Sequence, residues 1–340
     1  MRTLALTGSL CALLLSASAA AAQTEESSEE NAGEESSWRR PLQSRNQTPL
    51  ALFVVYMIPD RAAAIGKGEL HLDIVFDYSS IIQEQQTENE FLRFDLEYLR
   101  TLVALKRGFG RGLEVGFEVP FYVYYGGFLD PFVSSFHEAL GLPNLLRGQT
   151  PHGLVDFQYR RGDQAVFAGM NSFGAVGDVA LNVKKTLYEG SSRALAVRGT
   201  LKLPTGDPQN LSGSGATDFG LGAAFDRIGP KYGLYLNASY HFLGTPERFE
   251  TRDYFSIMAG ADWRFKPRLA AVLQADYMRP PVQGEVSNLN QPGIQLALGL
   301  RYRHSEAFTY EWRLVEDLSS FSPDFTFAFQ VEVRSKGGRR

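Results

Sequence analysis

Cysteine is almost absent from this sequence, with Cys11 as the single example in 340 residues. It lies in a predicted signal peptide, residues 1–22, in which Arg2 precedes a short apolar run and cleavage is expected after Ala22. Leu10 stands where a lipoprotein signal would need a small residue. The mature chain is therefore expected to have no thiol, which excludes disulfides, cysteine catalysis and thiolate-bound zinc.

Long apolar runs and an excess of charge of one sign are also lacking. Beyond Arg39 no stretch of about 18 apolar residues could form a membrane-spanning helix. Lysine and arginine number 34 against 38 acidic residues, and several glutamates crowd between residues 25 and 35. Residues 23–45 are therefore predicted to be an acidic disordered segment. The near-neutral remainder gives no electrostatic reason to expect a nucleic-acid partner.

Enzyme motifs are missing as well. The sequence contains no HExxH, GxSxG, P-loop or CxxC pattern, and its five histidines do not lie at metal-ligand spacing. We therefore predict no catalytic residue, no metal and no cofactor. Ser239 and His241 are the one nearby pair that an exposed hydrolase site could use. They share one face of a predicted strand, so we interpret them as lumen lining and keep the hydrolase as the weakest hypothesis.

Strict alternation of apolar and polar residues dominates what is present. Residues 69–80 read ELHLDIVFDYSS, in which every even position from 70 to 78 is apolar or aromatic. This period of two predicts a strand with two different faces. Similar runs recur along the chain at 69–80, 90–105, 111–123, 176–188, 193–204, 217–227, 231–242, 253–265, 267–279, 292–303, 306–316 and 324–334.

The connections between these runs alternate between tight turns and long loops. Tight turns at one end and long loops at the other are typical of an outer-membrane barrel with both termini in the periplasm. Aromatic residues near the strand ends fit its interfacial girdles. We therefore predict an all-β fold, a transmembrane antiparallel β-barrel of about twelve strands over residues 46–334, followed by a basic tail at 335–340. The expected location is the outer membrane.

The polar face of the strands carries charges of both signs, which a wet lumen tolerates better than a protein core. If Asp95 and Glu97 face inward, then Arg100 falls on the lipid side, so we expect a β-bulge near Leu99. The predicted pore-lining residues are Asp95, Glu97, Glu114, Glu118, Asp178, Lys184, Arg198, Lys202, Asp218, Asp262, Arg264, Arg301, Arg303, Glu311 and Arg313.

Two further segments could close such a lumen. In the longest loop, Asp130, Pro131 and Gly141 mark the ends of a short helix, which we interpret either as a lid in the barrel mouth or as a helix that stabilises its loop. The candidate gating residues are Asp130, Phe132, Phe136 and His137. Residues 50–58 are apolar and could form a plug or an extra strand. An extra strand would break the even count, so we favour a periplasmic or luminal segment.

Short motifs add a resemblance. The letters KLPTGD at 202–207, GSG at 213–215 and TDFGLG at 217–222 resemble outer-membrane proteins of the meta-pathway of phenol degradation type and related transporters. The pattern of Asp95, Glu97 and Arg100, with glycines at 126–127 and FH at 136–137, resembles an uncharacterised family of proteobacterial outer-membrane barrels, a domain of unknown function. The resemblance spans most of residues 45–334. It implies a transporter-like barrel and assigns no catalytic or ligand-binding residues.

The leading hypothesis is a passive, porin-like channel for small solutes, in which luminal lysines and arginines face acids and set solute preference. The rival is a plugged structural or adhesive barrel without transport. Expected partners are outer-membrane lipid, an unidentified small solute and the outer-membrane insertion machinery during biogenesis.

Overall fold

The computed structural model describes residues 37–141, 150–319 and 321–335. The predicted signal peptide, most of the acidic segment and residues 336–340 of the predicted tail lie outside these ranges. Two short helices are α1, Pro49–Leu52, and α2, Asp130–Leu140. No helix in the described ranges is long and apolar enough to cross a membrane.

The remaining elements are almost all strands. They are β1 Leu70–Gln86, β2 Glu90–Gly110, β3 Leu113–Tyr125, β4 Asp156–Arg161, β5 Gln164–Gly169, β6 Phe173–Val176, β7 Val179–Glu189, β8 Arg193–Leu203, β9 Asp218–Ile228, β10 Tyr232–Phe242, β11 Tyr254–Lys266, β12 Leu269–Met278, β13 Gly293–Arg303, β14 Phe308–Asp317 and β15 Phe325–Ser335. Two single 3₁₀ turns, Pro208–Asn210 and Ser287–Leu289, lie in loops.

Twelve of these strands form a closed antiparallel barrel. The ring runs β1, β2, β3 and then β7 to β15 in chain order, and β15 pairs back with β1 from Leu70↔Ser335 to Ser80↔Phe325. Closure leaves none of these twelve strands at a sheet edge, so each has a hydrogen-bonded neighbour on both sides. The predicted twelve-strand barrel is confirmed.

The three remaining strands extend the wall at its long-loop end. β4 pairs with the first residues of β2, Glu90–Asp95, and β5 pairs with β4. β6 pairs with the last residues of β3, Phe121–Tyr124. β1 and β2 also run on past the predicted boundaries, because residues 81–86, which we expected in a loop, continue the ladder with β2. At the short-turn end, the β2–β3 turn uses Gly110 and Gly112, both at positive φ, where glycine lacks the steric penalty of a side chain.

The two faces of the wall differ as the alternation predicts. Outward side chains are apolar and exposed, for example Leu236, Trp263 and Leu298 at about half of their full area. Their inward neighbours, such as Asn237 and Asp262, are almost wholly buried. An apolar surface that encircles the molecule fits a lipid environment on that side.

The register of β2 differs from the prediction. β2 pairs with β1 residue for residue from Gln86↔Phe91 to Leu70↔Arg107, with no bulge near Leu99. The even positions of β2 face inward, so Arg100 is luminal and buried while Asp95 and Glu97 lie on the outward face. The inward assignment of Asp95 and Glu97 was wrong because polar residues also alternate in the part of β2 that extends beyond the apolar band. Alternation alone does not show which face of a strand points inward.

Candidate functional site

The lumen is filled by the chain that precedes β1. Every residue from 38 to 60 is buried, and this segment runs up through the barrel and back down before β1 begins. We call residues 38–65 the hairpin plug, with an ascending arm at 38–48, its apex at 49–53 (α1 and Phe53) and a descending arm at 54–65. The luminal interpretation of residues 50–58 agrees with this geometry.

The ascending arm is held by carboxylates of the wall. The Arg39 guanidinium contacts Asp262 at 2.5 Å, close to the short-turn end. Arg40 pairs with Asp73 at 2.6 Å and with Glu332 at 3.2 Å. Further up, the Ser44 hydroxyl donates to Asp276 at 2.6 Å. The arm is therefore fastened along its whole length by ionic and hydrogen-bonding side chains.

The apex lies in an aromatic cluster at the long-loop end. The ring of Phe53 meets Phe167 at 5.9 Å and Phe249 at 5.7 Å between centroids. Beside them the Lys202 ammonium donates to the Phe53 carbonyl at 3.1 Å and pairs with Asp178 at 2.5 Å. Lys202 is the first residue of the KLPTGD motif, so the motif contributes this one side chain to the apex.

The descending arm meets the opposite side of the wall. Asp60 is its single carboxylate and pairs with Lys106 at 2.8 Å and Lys184 at 3.1 Å. Its backbone N–H donates to the Asn237 side chain at 3.0 Å. Two residues further along the arm, the Ala62 N–H donates to Asp226 at 2.8 Å.

Wall side chains also satisfy the backbone of the plug. The Gln274 amide accepts from the Leu42 N–H and donates to the Leu42 carbonyl, and Asp218 accepts from the Val55 N–H. A buried extended segment needs partners for its backbone groups, and here side chains supply them. Among the described residues, no backbone-to-backbone hydrogen bond joins residues 38–65 to a wall strand.

A small cavity lies between plug and wall. It is lined by Lys106, Glu118, Asn182 and Arg198 and has about 20 Å³ of free volume, which is room for roughly one water molecule. Since every residue from 38 to 60 is buried, the described part of the plug occupies the lumen.

The other predicted pore-lining residues do face inward, but most bond to each other or to the plug. A continuous ion-pair chain links Arg301, Glu311, Arg313, Asp77 and Arg100 on the wall. Arg303 stacks on Trp38 at 5.6 Å, and Glu114 pairs with Lys184. Arg264 lies at the short-turn mouth, half-buried. The sequence predicts these luminal charges. It does not predict that the plug pairs with many of them.

Helix α2 does not enter the barrel mouth, which corrects the lid interpretation. Phe132 packs edge-on against Phe325, and Phe128 packs against Tyr78; both partners belong to the outward face of the wall. Glu97 accepts hydrogen bonds from the N–H groups of residues 128 and 129 and from Tyr78. Asp130 accepts from the Gly153 N–H. The side chains of Phe136 and His137 lie outside the described part.

The predicted border between a disordered segment and the barrel at residues 45 and 46 also needs correction. It falls within the ascending arm, because Arg39, Arg40 and Ser44 have buried partners on the wall. Composition misled here, since a polar segment without a core of its own is buried inside a polar lumen.

The Ser239 and His241 pair faces inward as expected. Ser239 Oγ lies 3.1 Å from His241 Nε2, but Nδ1 has no hydrogen-bond partner among the described residues. The third group that orients the base of a catalytic triad is therefore missing here. Among the described residues, no group of three potential ligands could hold a metal ion.

Comparison with known proteins now places the chain. A family model described as a protein of unknown function, DUF3187, matches residues 25–334. The chain belongs to this family. No curated protein matches the sequence.

Several solved structures are similar to this DUF3187 protein. The COG4313 outer membrane channel from Pseudomonas putida F1 aligns with a TM-score of 0.54 and 13% identity, over 82% of this chain and 100% of that one. The NanC porin gives 0.44 and 9%, over 78% and 99%. A Pseudomonas aeruginosa FadL homologue gives 0.43 and 7%, over 88% and 96%. The likeness to the COG4313 channel shows the fold alone, which is that of an outer-membrane channel.

Proposed function

We propose that this protein is an outer-membrane channel for small solutes whose lumen is closed at rest by the hairpin plug. The observation that carries the proposal is the independence of plug and wall. The twelve-strand ladder is complete without residues 38–65, and every hydrogen bond between plug and wall among the described residues uses a side chain of one or the other. The plug can therefore move without breaking the barrel.

The chemistry of the interface supports a reversible closure. Ion pairs such as Arg39–Asp262 and Asp60–Lys106 hold the two parts together. When water replaces the plug, both partners become hydrated, so separating them costs far less than burying either one alone. Residues 50–54 of the plug lie in a hydrophobic cluster, so their withdrawal exposes apolar surface and accounts for the main cost of opening.

A disulfide lock tests the proposal. A Cβ built on Gly299 would lie 2.5 Å from Leu42 Cδ2, so Leu42→Cys with Gly299→Cys places two thiols across the plug–wall contact. The native Cys11 lies in the predicted signal peptide, so the engineered pair is expected to be free of competing thiols. We expect channel events in planar bilayers when this variant is reduced and silence when it is oxidised. Leu42→Cys alone is the control, and its channel events should be the same under reducing and oxidising conditions.

The rival hypothesis, a plugged structural or adhesive barrel without transport, is favoured by the complete burial of residues 38–60. It requires silent bilayers for the wild type and for the reduced double-cysteine variant, together with no solute uptake by liposomes. Conductance that persists in the oxidised variant would instead mean that solutes pass beside a stationary plug. The cleaved signal peptide and the contacts with lipid and the insertion machinery stay predictions.

A further inference from the structure

We propose that the open channel prefers cationic solutes, because the plug masks wall carboxylates that its displacement uncovers. This inference depends on the proposed channel function and names its substrate class. It reverses the expectation from sequence that luminal lysines and arginines set solute preference. We call Asp73, Asp226 and Asp262 the carboxylate ring.

Each member of the ring is paired with an arginine of the plug. Asp262 pairs with Arg39 at 2.5 Å, and Asp73 pairs with Arg40 at 2.6 Å. Asp226 lies 3.5 Å from Arg61. The side chains of the three carboxylates are at most 1% exposed. Withdrawal of the plug would therefore place three ionised carboxylates in water with their main cations removed.

Several wall cations, in contrast, keep a carboxylate partner on the wall, whereas Arg198 bonds to the Asn237 side chain and to the Ile58 carbonyl of the plug. Lys184 retains Glu114 at 3.0 Å, and Lys202 retains Asp178 at 2.5 Å. Arg313 retains Asp77 at 2.7 Å. Among these cations, Lys106 depends most on the plug, through Asp60, and its remaining wall carboxylate is Asp73 at 3.9 Å.

The net charge of the plug also favours a preference of the open channel for cations. Residues 38–65 contain one carboxylate, Asp60, and four arginines: Arg39, Arg40, Arg45 and Arg61. Displacing the plug therefore removes three net positive charges from the lumen. A narrow passage with low-dielectric walls focuses the field that remains and raises the local concentration of ions of the opposite sign.

The ring also lies in one zone of the barrel. Asp226 is opposite Tyr235 and Asp262 is opposite Gly233, so the two differ by two positions near the short β9–β10 turn. Asp73 lies three positions after the first residue of β1, at the same end of the barrel. A ring of acidic side chains at a constriction is a known basis of cation selectivity. Half-buried Arg264 and Arg303 lie nearer the mouth, where salt screens their charge more strongly.

Reversal potentials in a KCl gradient test the inference. The wild type should reverse toward the potassium equilibrium potential. Asp226→Asn with Asp262→Asn should lower the potassium-to-chloride permeability ratio several-fold, while Asp163→Asn with Glu247→Gln, which removes two exposed loop carboxylates, should leave it unchanged. Heat-modifiable gel mobility verifies folding of each variant. If the double variant does not fold, the single change Asp73→Asn replaces it with the same expectation.

The outcomes separate the two proposals. A wild-type reversal potential at zero or toward chloride overturns the cation preference and leaves the channel intact. An unchanged permeability ratio in folded Asp226→Asn/Asp262→Asn overturns the role of the ring. Silence of the wild type and of the reduced Leu42→Cys/Gly299→Cys variant overturns the channel function itself.

Discussion

Lys202 shows how much of the closure depends on single buried charges. Its ammonium contacts Asp178 at 2.5 Å, Asp218 at 3.1 Å, Ser214 and the Phe53 carbonyl at the apex of the plug. The motif that contains it was visible in the sequence. Its partner at residue 53 was not, because no local pattern links a strand residue to a segment about 150 positions earlier in the chain.

Replacing Lys202 with methionine should therefore destabilise the protein strongly. The change leaves two buried carboxylates without their cation, which costs on the order of 3–5 kcal/mol. We expect the midpoint of urea unfolding, followed by heat-modifiable mobility, to fall clearly. Lys185→Met is the matched control, since Lys185 is exposed and donates only to the Arg111 carbonyl among the bonds described. Equal midpoints for the two variants would contradict this role of Lys202.

At the scale of elements, the wall strands could be predicted from the sequence. The packing of the long loop and helix α2 on their outward face could not. Alternation locates β7 to β15 closely, because one face contacts lipid and the other a polar lumen. Beyond the apolar band, the outward face of β2 is polar and pairs with loop groups, so Asp95 and Glu97 imitate lumen residues. The helix at residues 130–140 was predicted from its end signals, but such signals carry no information on the side of the wall against which it packs.

Helix α2 should detach from the outward face of the wall without opening the channel. Glu97→Ala removes the acceptor of two loop N–H groups and of Tyr78, a loss of about 1–3 kcal/mol for the fastening of residues 126–129. We expect faster cleavage of the 126–155 loop by protease added to intact cells, with unchanged conductance and gel mobility. Glu84→Ala is the control, because exposed Glu84 bonds to Arg93 and not to this loop. A rise in conductance would restore the lid interpretation.

For the whole molecule, two systems of bonds coexist. Backbone ladders close the wall, and side-chain bonds hold the plug within it. The sequence reveals the first system because a strand has a fixed period. It conceals the second because wall carboxylates paired with a plug and those lining an open pore have the same spacing. The plug was nevertheless a stated alternative, since its apolar apex is a distinct run before β1.

A variant without residues 38–65 should fold into the same barrel and conduct continuously. Its ladder loses no backbone bond to a wall strand among the described residues, and the uncovered wall charges are hydrated at little cost compared with burial. A twelve-strand lumen is intermediate between side-chain-filled and open barrels, so conductance should exceed that of the wild type without reaching that of a porin of about 16 strands. Heat-modifiable mobility and bilayer recordings measure the two expectations separately. A folded but silent variant would show that wall side chains alone seal the lumen, and an unfolded one would make the plug part of the core.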